Sequence, residues 1–307
     1  MIIFNISIYL YNIKEVNMKN VGWIGAGVMG KEMAGHLVKN GYNVKVYNRT
    51  YSKALALEKE KGVKACKTIK ETIENANYIF TMVGYPKDVE EVYLSDNGIF
   101  ENAKEGTLII DMTTSSPALA EKLYDEGKKR GLRIMDAPVS GGDTGAQKGT
   151  LSIMVGGDES DFKKIKPLLQ YMGSNINYLG KPGSGQHTKA ANQIVVAGNT
   201  AAYTEALIYS KKVGLDSKKM LNAISGGAAG SWQLDNMAPR ALSKDFAPGF
   251  FIKHFVKDMN IVKKEMDNRN INLKILNTVL KMYNEMVEKG LENDGTQALI
   301  KIYNDNK

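Results

Sequence analysis

A lysine and two amide side chains share one face of a predicted helix in the second half of this chain. Lys189, Asn192 and Gln193 stand at positions i, i+3 and i+4 of an otherwise apolar segment, and residues with that spacing project from the same side of a helix. Such a polar cluster on an apolar helix is costly unless it serves a purpose. An ammonium group there can stabilise negative charge as it forms on a reacting oxygen and can then donate a proton. The spacing therefore predicts a functional site on this face of the helix, with Lys189 as the residue suited to such chemistry.

A glycine-rich turn near the start of the chain predicts a dinucleotide site. The segment 21–30 reads V-G-W-I-G-A-G-V-M-G, an apolar strand that runs into the spacing G-x-G-x-x-G. The first glycine permits a tight turn, the second leaves room for a phosphate, and the third lets the following helix pack closely on the strand. The N–H groups at the start of that helix then face the phosphates. The predicted contacts with the cofactor are Gly25, Ala26, Gly27, Val28, Met29 and Gly30.

The residues at the end of the second predicted strand favour NADP over NAD. The position about 20 residues after the glycines reads the ribose 2′ group, and an NAD site usually has a carboxylate there. Here the sequence is Asn48-Arg49-Thr50, and an arginine matches the geometry of a 2′-phosphate with two parallel hydrogen bonds. The alternative is that Arg49 only stacks on the adenine, in which case either cofactor binds.

Three further segments carry residues suited to chemistry. The segment 136–142 reads D-A-P-V-S-G-G and follows a predicted strand, while Lys257 and Asp258 stand near the start of a late helix. A desolvated lysine beside a second cation has a lowered pKa, which suits acid–base work, and Lys257 is the candidate for that cation. The glycine-rich stretch 225–232 ends in Trp232, and this loop either closes over a ligand or packs as an ordinary loop.

In combination these motifs resemble those of the β-hydroxyacid dehydrogenase family, which includes 3-hydroxyisobutyrate dehydrogenases and the tartronate, glyoxylate and succinic semialdehyde reductases. The resemblance covers essentially all of residues 18–307. It depends on four motifs in the family order: the glycine turn, D-A-P-V-S-G-G, G-x-G-x-x-x-K-x-x-N and a late K-D. It implies an NAD(P)-dependent oxidoreductase that transfers a hydride between a nicotinamide and a small 3-hydroxy acid or its semialdehyde. The substrate would be recognised by its carboxylate, in a cleft between two domains.

The resemblance also implies roles for individual residues. Lys189 matches the catalytic lysine of the family and Asn192 matches an amide that helps to orient the substrate, whereas Gln193 replaces a second asparagine found in many members. The candidate substrate contacts are Ser140, Gly141, Gly142, Gln193, Trp232 and Asp258. The candidate cofactor contacts beyond the glycine turn are Asn48, Arg49, Thr50, Met82, Val83, Thr114 and Lys257.

The elements that must position these residues fall into two halves. Predicted strands at 21–24, 43–47, near 63, 78–83, 107–111, 134–136 and 151–155 alternate with helices at 31–40, 52–61, 69–74, 117–130 and 160–172. That alternation predicts a doubly wound, mainly parallel α/β sheet. The glycine- and proline-rich segment 177–185 is the predicted boundary between a dinucleotide-binding Rossmann domain, 18–182, and an all-α substrate and oligomerisation domain, 183–307. Helices are predicted there at 186–213, 218–224, 255–268 and 273–289, the first of them buried on most sides.

Composition argues against several classes of function. The 307 residues include 41 basic and 33 acidic side chains, a net charge of +8, but the lysines are scattered among acidic residues. They lack the aromatic–basic interleaving of a nucleic-acid binder, and no His/Cys/Asp spacing predicts a metal site. A single cysteine, Cys66, favours a cytoplasmic protein. The long apolar helix, together with the family resemblance, predicts a homodimer or homotetramer that binds neither nucleic acid nor a membrane.

Residues 1–17 do not fit the rest of the sequence. The run 2–13 is apolar and tyrosine-rich, too short for a membrane span of about 20 residues, and without the cleavage site of a signal peptide. Met18 opens a segment that leads directly into the first predicted strand, as a natural start would. We expect residues 1–17 to be an upstream extension, and mass spectrometry of the native protein would contradict this by finding an intact Met1.

Three alternative functions stay open on the sequence alone. A 6-phosphogluconate dehydrogenase would need a basic cluster for the sugar phosphate. An imine reductase usually replaces the catalytic lysine, and a non-catalytic nucleotide-binding protein of this fold would be expected to lose it. The presence of Lys189 therefore favours the hydroxyacid dehydrogenases.

Overall fold

The computed structural model describes residues 19–303. The chain divides into two compact units, one that ends at Gln186 and one that begins at His187. The prediction for residues 1–17 lies outside the described residues.

A mainly parallel sheet forms the centre of the first unit. Six strands run parallel in the order β3-β2-β1-β4-β5-β6. They are Asn20–Ile24 (β1), Asn43–Tyr47 (β2), Lys64–Cys66 (β3), Tyr78–Thr81 (β4), Leu108–Asp111 (β5) and Arg133–Asp136 (β6). The central strands are short apolar runs such as L-I-I-D in β5, every residue of which is buried, as a parallel sheet covered on both faces requires. The predicted Rossmann sheet is confirmed.

Helices follow most of these strands. They are Val28–Lys39 (α1), Tyr51–Lys61 (α2), Ile69–Ile73 (α3), Pro86–Leu94 (α4), Ile99–Asn102 (α5), Pro117–Lys129 (α6), Gly142–Lys148 (α7) and Glu159–Leu169 (α8). The buried face of α1 is apolar: Met33 and Leu37 are fully buried, and Met29 and Val38 pack against the same core. The sequence did not predict α4, α5 and α7, which are only nine, four and seven residues long and so too short to show a clear helical period.

The strand β6 continues beyond the parallel sheet as a second segment, β7 (Val139–Ser140). Both segments pair antiparallel with β8 (Leu151–Gly156), Asp136 opposite Gly156 and Val139 opposite Ile153. The register is therefore the same on either side of residues 137–138. The 136–142 segment extends one strand past the carboxyl edge of the parallel sheet, where ligands bind in open α/β folds.

The last strand of the sheet overlaps the segment 177–185 that the sequence predicts as the domain boundary. Residues Gly173–Gly180 form β9, which pairs parallel with β8. In this strand only Gly173 is fully buried, and the half-buried Ile176 and Tyr178 alternate with the exposed Asn175 and Asn177, an alternation too short to stand out beside the surrounding glycines.

The second unit is helical, as predicted. Its helices are the greater part of Ser184–Lys212 (α9), then Ser217–Ser225 (α10), Trp232–Asn236 (α11), Ala238–Leu242 (α12), Ile252–Asp267 (α13) and Lys274–Glu288 (α14), before a 3₁₀ helix at Thr296–Tyr303. Apolar residues of α13 and α14 form its main core. Phe255 and Tyr283 meet there edge to face, with ring centroids 5.0 Å apart.

The helix α9 is buried or half-buried on most sides, as predicted, and within 184–210 its exposed residues form one narrow stripe (Ala191, Val195, Ala202, Glu205 and Tyr209). Gln193, Ala197 and Thr204 are buried, but Val195 is 60% exposed and Tyr209 is 66% exposed on the other side. The covered sides pack in two clusters, with Ala197 in the main core and Tyr203 and Leu207 in a second one. No helix within residues 19–303 has the length and hydropathy to cross a membrane.

Candidate active site

The glycine turn after β1 has the shape that a dinucleotide needs. Gly25 has φ of +108°, and a Cβ added to it would lie 2.1 Å from the carbonyl oxygen of Met82. A Cβ on Gly30 would lie 2.2 Å from the carbonyl oxygen of Gly25. A Cβ on Gly27, in contrast, would meet no atom within 4 Å. The first and third glycines are therefore required by packing, whereas the second borders open space.

That open space lies at the N-terminus of α1. Gly27 is the N-cap residue of this 12-residue helix, and no side chain caps it. The first N–H groups of a helix have no intrahelical partner and carry a partial positive charge, which suits a phosphate. The turn 25–30 therefore fits the pyrophosphate of a dinucleotide, with Ala26, Val28 and Met29 lying within it.

Asn48 braces the glycine turn from the end of β2. Its Oδ1 accepts a hydrogen bond of 2.9 Å from the N–H of Ala26, and its Nδ2 donates to the carbonyl of Thr50 at 3.0 Å. Arg49 is 78% exposed, and its guanidinium lies 3.2 Å from the carboxylate of Asp88. The cation predicted to read the ribose 2′ group is therefore accessible, although it has an acidic neighbour that the sequence did not reveal.

A buried polar network occupies the carboxyl ends of β4 and β5. The Oδ1 of Asp111 accepts hydrogen bonds from the Thr81 hydroxyl at 2.7 Å and from the N–H of Thr113 at 3.0 Å. The Thr113 hydroxyl in turn accepts from the N–H of Val83 at 3.0 Å. Burial raises the pKa of Asp111 to about 6, against the effect of its hydrogen bonds with Thr81 and Thr113. The loop that begins with Met82 and Val83 is thereby joined to the loop that carries Thr114.

Asp136, the first residue of the D-A-P-V-S-G-G segment, holds the start of α9. Its two carboxylate oxygens accept hydrogen bonds from the backbone N–H groups of Gly183 at 2.9 Å and Gln186 at 2.8 Å. Burial raises its pKa, while these backbone donors oppose that shift. The sequence holds a signal for Asp136 that was not used: it is an acidic residue at the end of a strand, inside a motif already singled out.

The three candidate carboxylate-binding residues form the turn after β7. Ser140 ends β7, Gly141 is the N-cap of α7, and Gly142 is its first residue. Both glycines have positive φ, +130° and +63°, a conformation that L side chains rarely adopt. All three residues are half-buried, so their hydroxyl and N–H groups stand at the edge of the unit.

Lys189 is almost fully buried in the second unit, with 6% of its surface exposed. Burial lowers its pKa to about 8; among nearby charges, Lys257 adds to that lowering and Asp258 opposes it. A lysine with a pKa near 8 can donate a proton as its ammonium and accept one as its neutral amine close to neutral pH. The lowered pKa is the shift expected of a desolvated lysine beside a second cation, and the role of Lys189 as the general acid–base stays a prediction.

The residues predicted to accompany Lys189 form one hydrogen-bonded chain. The Nδ2 of Asn192 donates to the Oε1 of Gln193 at 2.8 Å, and the Nε2 of Gln193 donates to the Oδ2 of Asp258 at 2.6 Å. The ammonium of Lys257 lies 2.9 Å from the other carboxylate oxygen of Asp258. Gln193 thus uses both ends of its amide within the protein.

Trp232 lies on a different helix from this chain of residues. It is 53% exposed at the start of α11. Its neighbour Gln233 accepts a hydrogen bond from Asn199 of α9 at 3.4 Å, and Asn199 is about 15 Å further along the helix than Lys189. A substrate contact by Trp232 stays a prediction. Within residues 19–303 no group of three His, Cys, Asp or Glu side chains could hold a metal ion.

Two family models match almost the whole described chain. One, the NAD binding domain of 6-phosphogluconate dehydrogenase, matches residues 20–180. The other, the NAD-binding of NADP-dependent 3-hydroxyisobutyrate dehydrogenase, matches residues 183–303. The predicted nicotinamide dinucleotide cofactor is confirmed by these matches.

Individual proteins are similar over nearly their full length. The chain is 48% identical over 285 residues to the uncharacterized oxidoreductase YkwC of Bacillus subtilis, covering 93% of this chain and 99% of that protein. It is 36% identical over 272 residues to 2-hydroxy-3-oxopropionate reductase of Escherichia coli, covering 88% and 92%. A solved structure of Mycobacterium tuberculosis 3-hydroxyisobutyrate dehydrogenase with L-serine has a TM-score of 0.85 at 27% identity, covering 93% and 99%. From its glycine turn to its buried lysine, the chain belongs to the 3-hydroxyisobutyrate dehydrogenase family of NAD(P)-binding oxidoreductases.

Proposed function

We propose that this protein is an NADP-preferring oxidoreductase that interconverts a small 3-hydroxy acid and its semialdehyde, with Lys189 as the general acid–base. The observation that carries the proposal is the buried ammonium of Lys189, whose pKa is lowered to about 8. Structural lysines of a soluble protein are mostly exposed, and a buried lysine with a shifted pKa is typical of a functional site.

Lys189 would act on the oxygen of the reacting carbon. The bound nicotinamide supplies the hydride in reduction and accepts it in oxidation. In reduction the Lys189 ammonium stabilises the negative charge that develops on the carbonyl oxygen and donates a proton to it. In oxidation the neutral amine removes the hydroxyl proton. Asn192, one turn away on the same face of α9, is positioned to help orient the substrate.

The turn after β7 supports the proposed substrate class. Ser140, Gly141 and Gly142 offer a hydroxyl and backbone N–H groups at the carboxyl edge of the sheet, and successive N–H groups in such a turn bind carboxylates well. The related M. tuberculosis enzyme was determined with L-serine, which is itself a small 3-hydroxy carboxylic acid. Both observations support a short substrate that is held by its carboxylate.

The preference for NADP is supported by Arg49. Its exposed guanidinium follows β2, and the residue before it is the neutral Asn48, whose amide is engaged with the backbone of the glycine turn. The position therefore lacks a carboxylate that would accept from a 2′ hydroxyl and repel a 2′-phosphate.

The function is tested by following NAD(P)H absorbance at 340 nm with a panel of substrates. The panel contains glyoxylate, succinic semialdehyde, tartronate semialdehyde, 3-hydroxyisobutyrate, 3-hydroxypropionate, serine and 6-phosphogluconate. We expect turnover with at least one of the small acids or semialdehydes, faster with NADPH or NADP⁺ than with NADH or NAD⁺. Turnover of 6-phosphogluconate alone would overturn the proposed substrate class.

We further propose that the protein assembles as a homodimer or homotetramer. The exposed apolar side chains Val195 and Tyr209 on α9 support this, because apolar surface of that kind is often covered by another subunit. Light scattering coupled to size exclusion, at protein concentrations from micromolar upward, would contradict the proposal by giving the mass of a monomer throughout.

A further inference from the structure

The side chain of Gln186 bridges the start of α9 and the loop after β5. Its Nε2 donates a hydrogen bond of 2.7 Å to the carbonyl of Thr113, and its Oε1 accepts one of 2.9 Å from the N–H of Ser115. Gln186 is 2% exposed. A buried amide that satisfies a backbone acceptor and a backbone donor at once can hold only one orientation.

The residue between those two backbone partners is Thr114. Thr113 and Ser115 are buried, with 1% and 2% of their surface exposed, whereas Thr114 is half-buried. Thr114 is thus the most accessible of the three residues. Gln186 fixes the backbone on both sides of it.

The backbone of Gln186 is itself held in place. Its N–H donates to Asp136 at 2.8 Å, and Gly185 leaves no room for a side chain there, because a Cβ would lie 2.8 Å from the Asp136 carboxylate. On the other side the Thr113 hydroxyl accepts from the N–H of Val83. Gln186 therefore connects the ends of three strands at the carboxyl edge of the sheet. Its backbone N–H binds the end of β6, and its side chain binds the loop after β5, which is bonded in turn to the loop after β4.

We propose that Gln186 is a positioning residue for the cofactor, which it serves by fixing the Thr113–Ser115 backbone so that Thr114 faces the dinucleotide. This inference depends on the proposed use of Thr114 as a cofactor contact. Gln186 itself points into the protein and does not touch the cofactor. Its loss leaves a buried carbonyl and a buried N–H without partners, and the loop then relaxes toward water or other donors.

The test is NADPH binding, measured by isothermal titration calorimetry without substrate, for the variants Gln186→Met, Thr114→Val and the double variant. Methionine keeps the volume of glutamine and removes both hydrogen bonds. We expect Gln186→Met to raise the NADPH dissociation constant at least about tenfold. Because Gln186 acts through Thr114, the two losses should not add. The NADPH dissociation constant of the double variant should be at most about threefold higher than that of the single variant that binds more weakly.

Gln297→Met is the matched control. Gln297 is also fully buried and donates to two backbone carbonyls, those of Asp245 and Ala247, at 2.8 and 3.0 Å, but it lies in the second unit. We expect it to lower the melting temperature as Gln186→Met does and to leave NADPH affinity within about twofold of wild type.

Each result decides the proposal. Wild-type affinity in Gln186→Met, or fully additive losses in the double variant, would overturn it. If Gln186→Met does not fold, Gln186→Glu decides, since a carboxylate can accept from Ser115 but cannot donate to Thr113; intermediate affinity supports the proposal and unchanged affinity overturns it. If the wild-type protein itself bound no NADPH, the proposed function would fail instead.

Discussion

The side-chain amide of Gln193, on α9, donates a hydrogen bond of 2.6 Å to the carboxylate of Asp258, on α13. Both residues are buried, so this bond fixes the carboxylate that opposes the lowering of the Lys189 pKa. The proton affinity of Lys189 therefore depends on how α13 packs against α9, as well as on the neighbours of Lys189 in sequence.

Replacing Lys189 by alanine should remove catalysis and spare cofactor binding. Loss of a general acid–base group lowers the rate by about 10²–10⁴-fold, and the glycine turn that fits the pyrophosphate is unchanged. Steady-state kinetics and calorimetric titration with NADPH measure the two effects. Lys212→Ala, a substitution of an exposed lysine in the last turn of the same helix, should change neither; normal turnover by the Lys189 variant would show that the acid–base group lies elsewhere.

The pH dependence of the reaction should differ between its two directions. Reduction needs the ammonium form of Lys189, so its rate should fall as the pH rises through about 8. Oxidation needs the neutral amine, so its rate should fall as the pH drops below about 8. Profiles of kcat/KM in both directions measure this, and profiles with the same slope in the two directions would contradict the assignment.

Two substitutions beside Lys189 should shift that profile in opposite directions. Asp258 raises the pKa of Lys189 and Lys257 lowers it. Asp258→Asn should therefore move the midpoint of the profile to lower pH, and Lys257→Met should move it to higher pH, each by roughly one unit for a close charge. Shifts in the same direction would mean that the two charges do not act on Lys189 as described.

Alanine substitutions at two glycines of the turn after β1 should affect either cofactor binding or the stability of the fold. Gly27→Ala places a methyl group in open space, so the melting temperature should stay within about 2 °C of wild type while NADPH affinity falls about tenfold or more. Gly30→Ala places a Cβ 2.2 Å from the Gly25 carbonyl oxygen and should destabilise the fold by about 1–3 kcal/mol. Thermal melts with and without NADPH distinguish the two cases.

Arg49 should determine the choice between the two dinucleotides. Arg49→Met should lower kcat/KM for NADPH about tenfold or more by removing charged hydrogen bonds to a 2′-phosphate, and should leave NADH nearly unaffected. Arg130→Met is a suitable control, because Arg130 is likewise exposed and paired with a carboxylate, that of Glu101. An equal loss with both cofactors would indicate stacking on the adenine.

The parts of the site whose residues all lie within one turn or one helix could be predicted from the sequence. The spacing of three glycines fixes a turn, and the i, i+3, i+4 spacing places Lys189, Asn192 and Gln193 on one helix face. The sequence could not show that Gln193 reaches Asp258, because the two residues are 65 positions apart and no local pattern encodes how two helices pack.

The residues that the sequence missed are those that hold others in place. Asp136 and Gln186 make their hydrogen bonds inside the first unit with backbone groups of distant segments. A polar residue of this kind looks like any surface residue until its burial is known. The strand β9 was missed because it is mostly exposed or half-buried, and such a strand contains few apolar residues by which to recognise it.

The pairing of Asp136 and Ser140 with β8 on either side of Pro138 constrains the length of the segment between them. The N–H of Ala137 donates toward β5, to the carbonyl of Asp111, and Pro138 has no N–H with which to continue that pairing. The carbonyl of Pro138 nevertheless accepts from Met154 of β8, so the strand separates from one neighbour while it stays paired with the other. One residue inserted here would turn the hydroxyl of Ser140 to the opposite face. Insertions and deletions in related chains should therefore fall before Asp136 or after α7, and a chain that broke this rule would need a different group to hold its substrate.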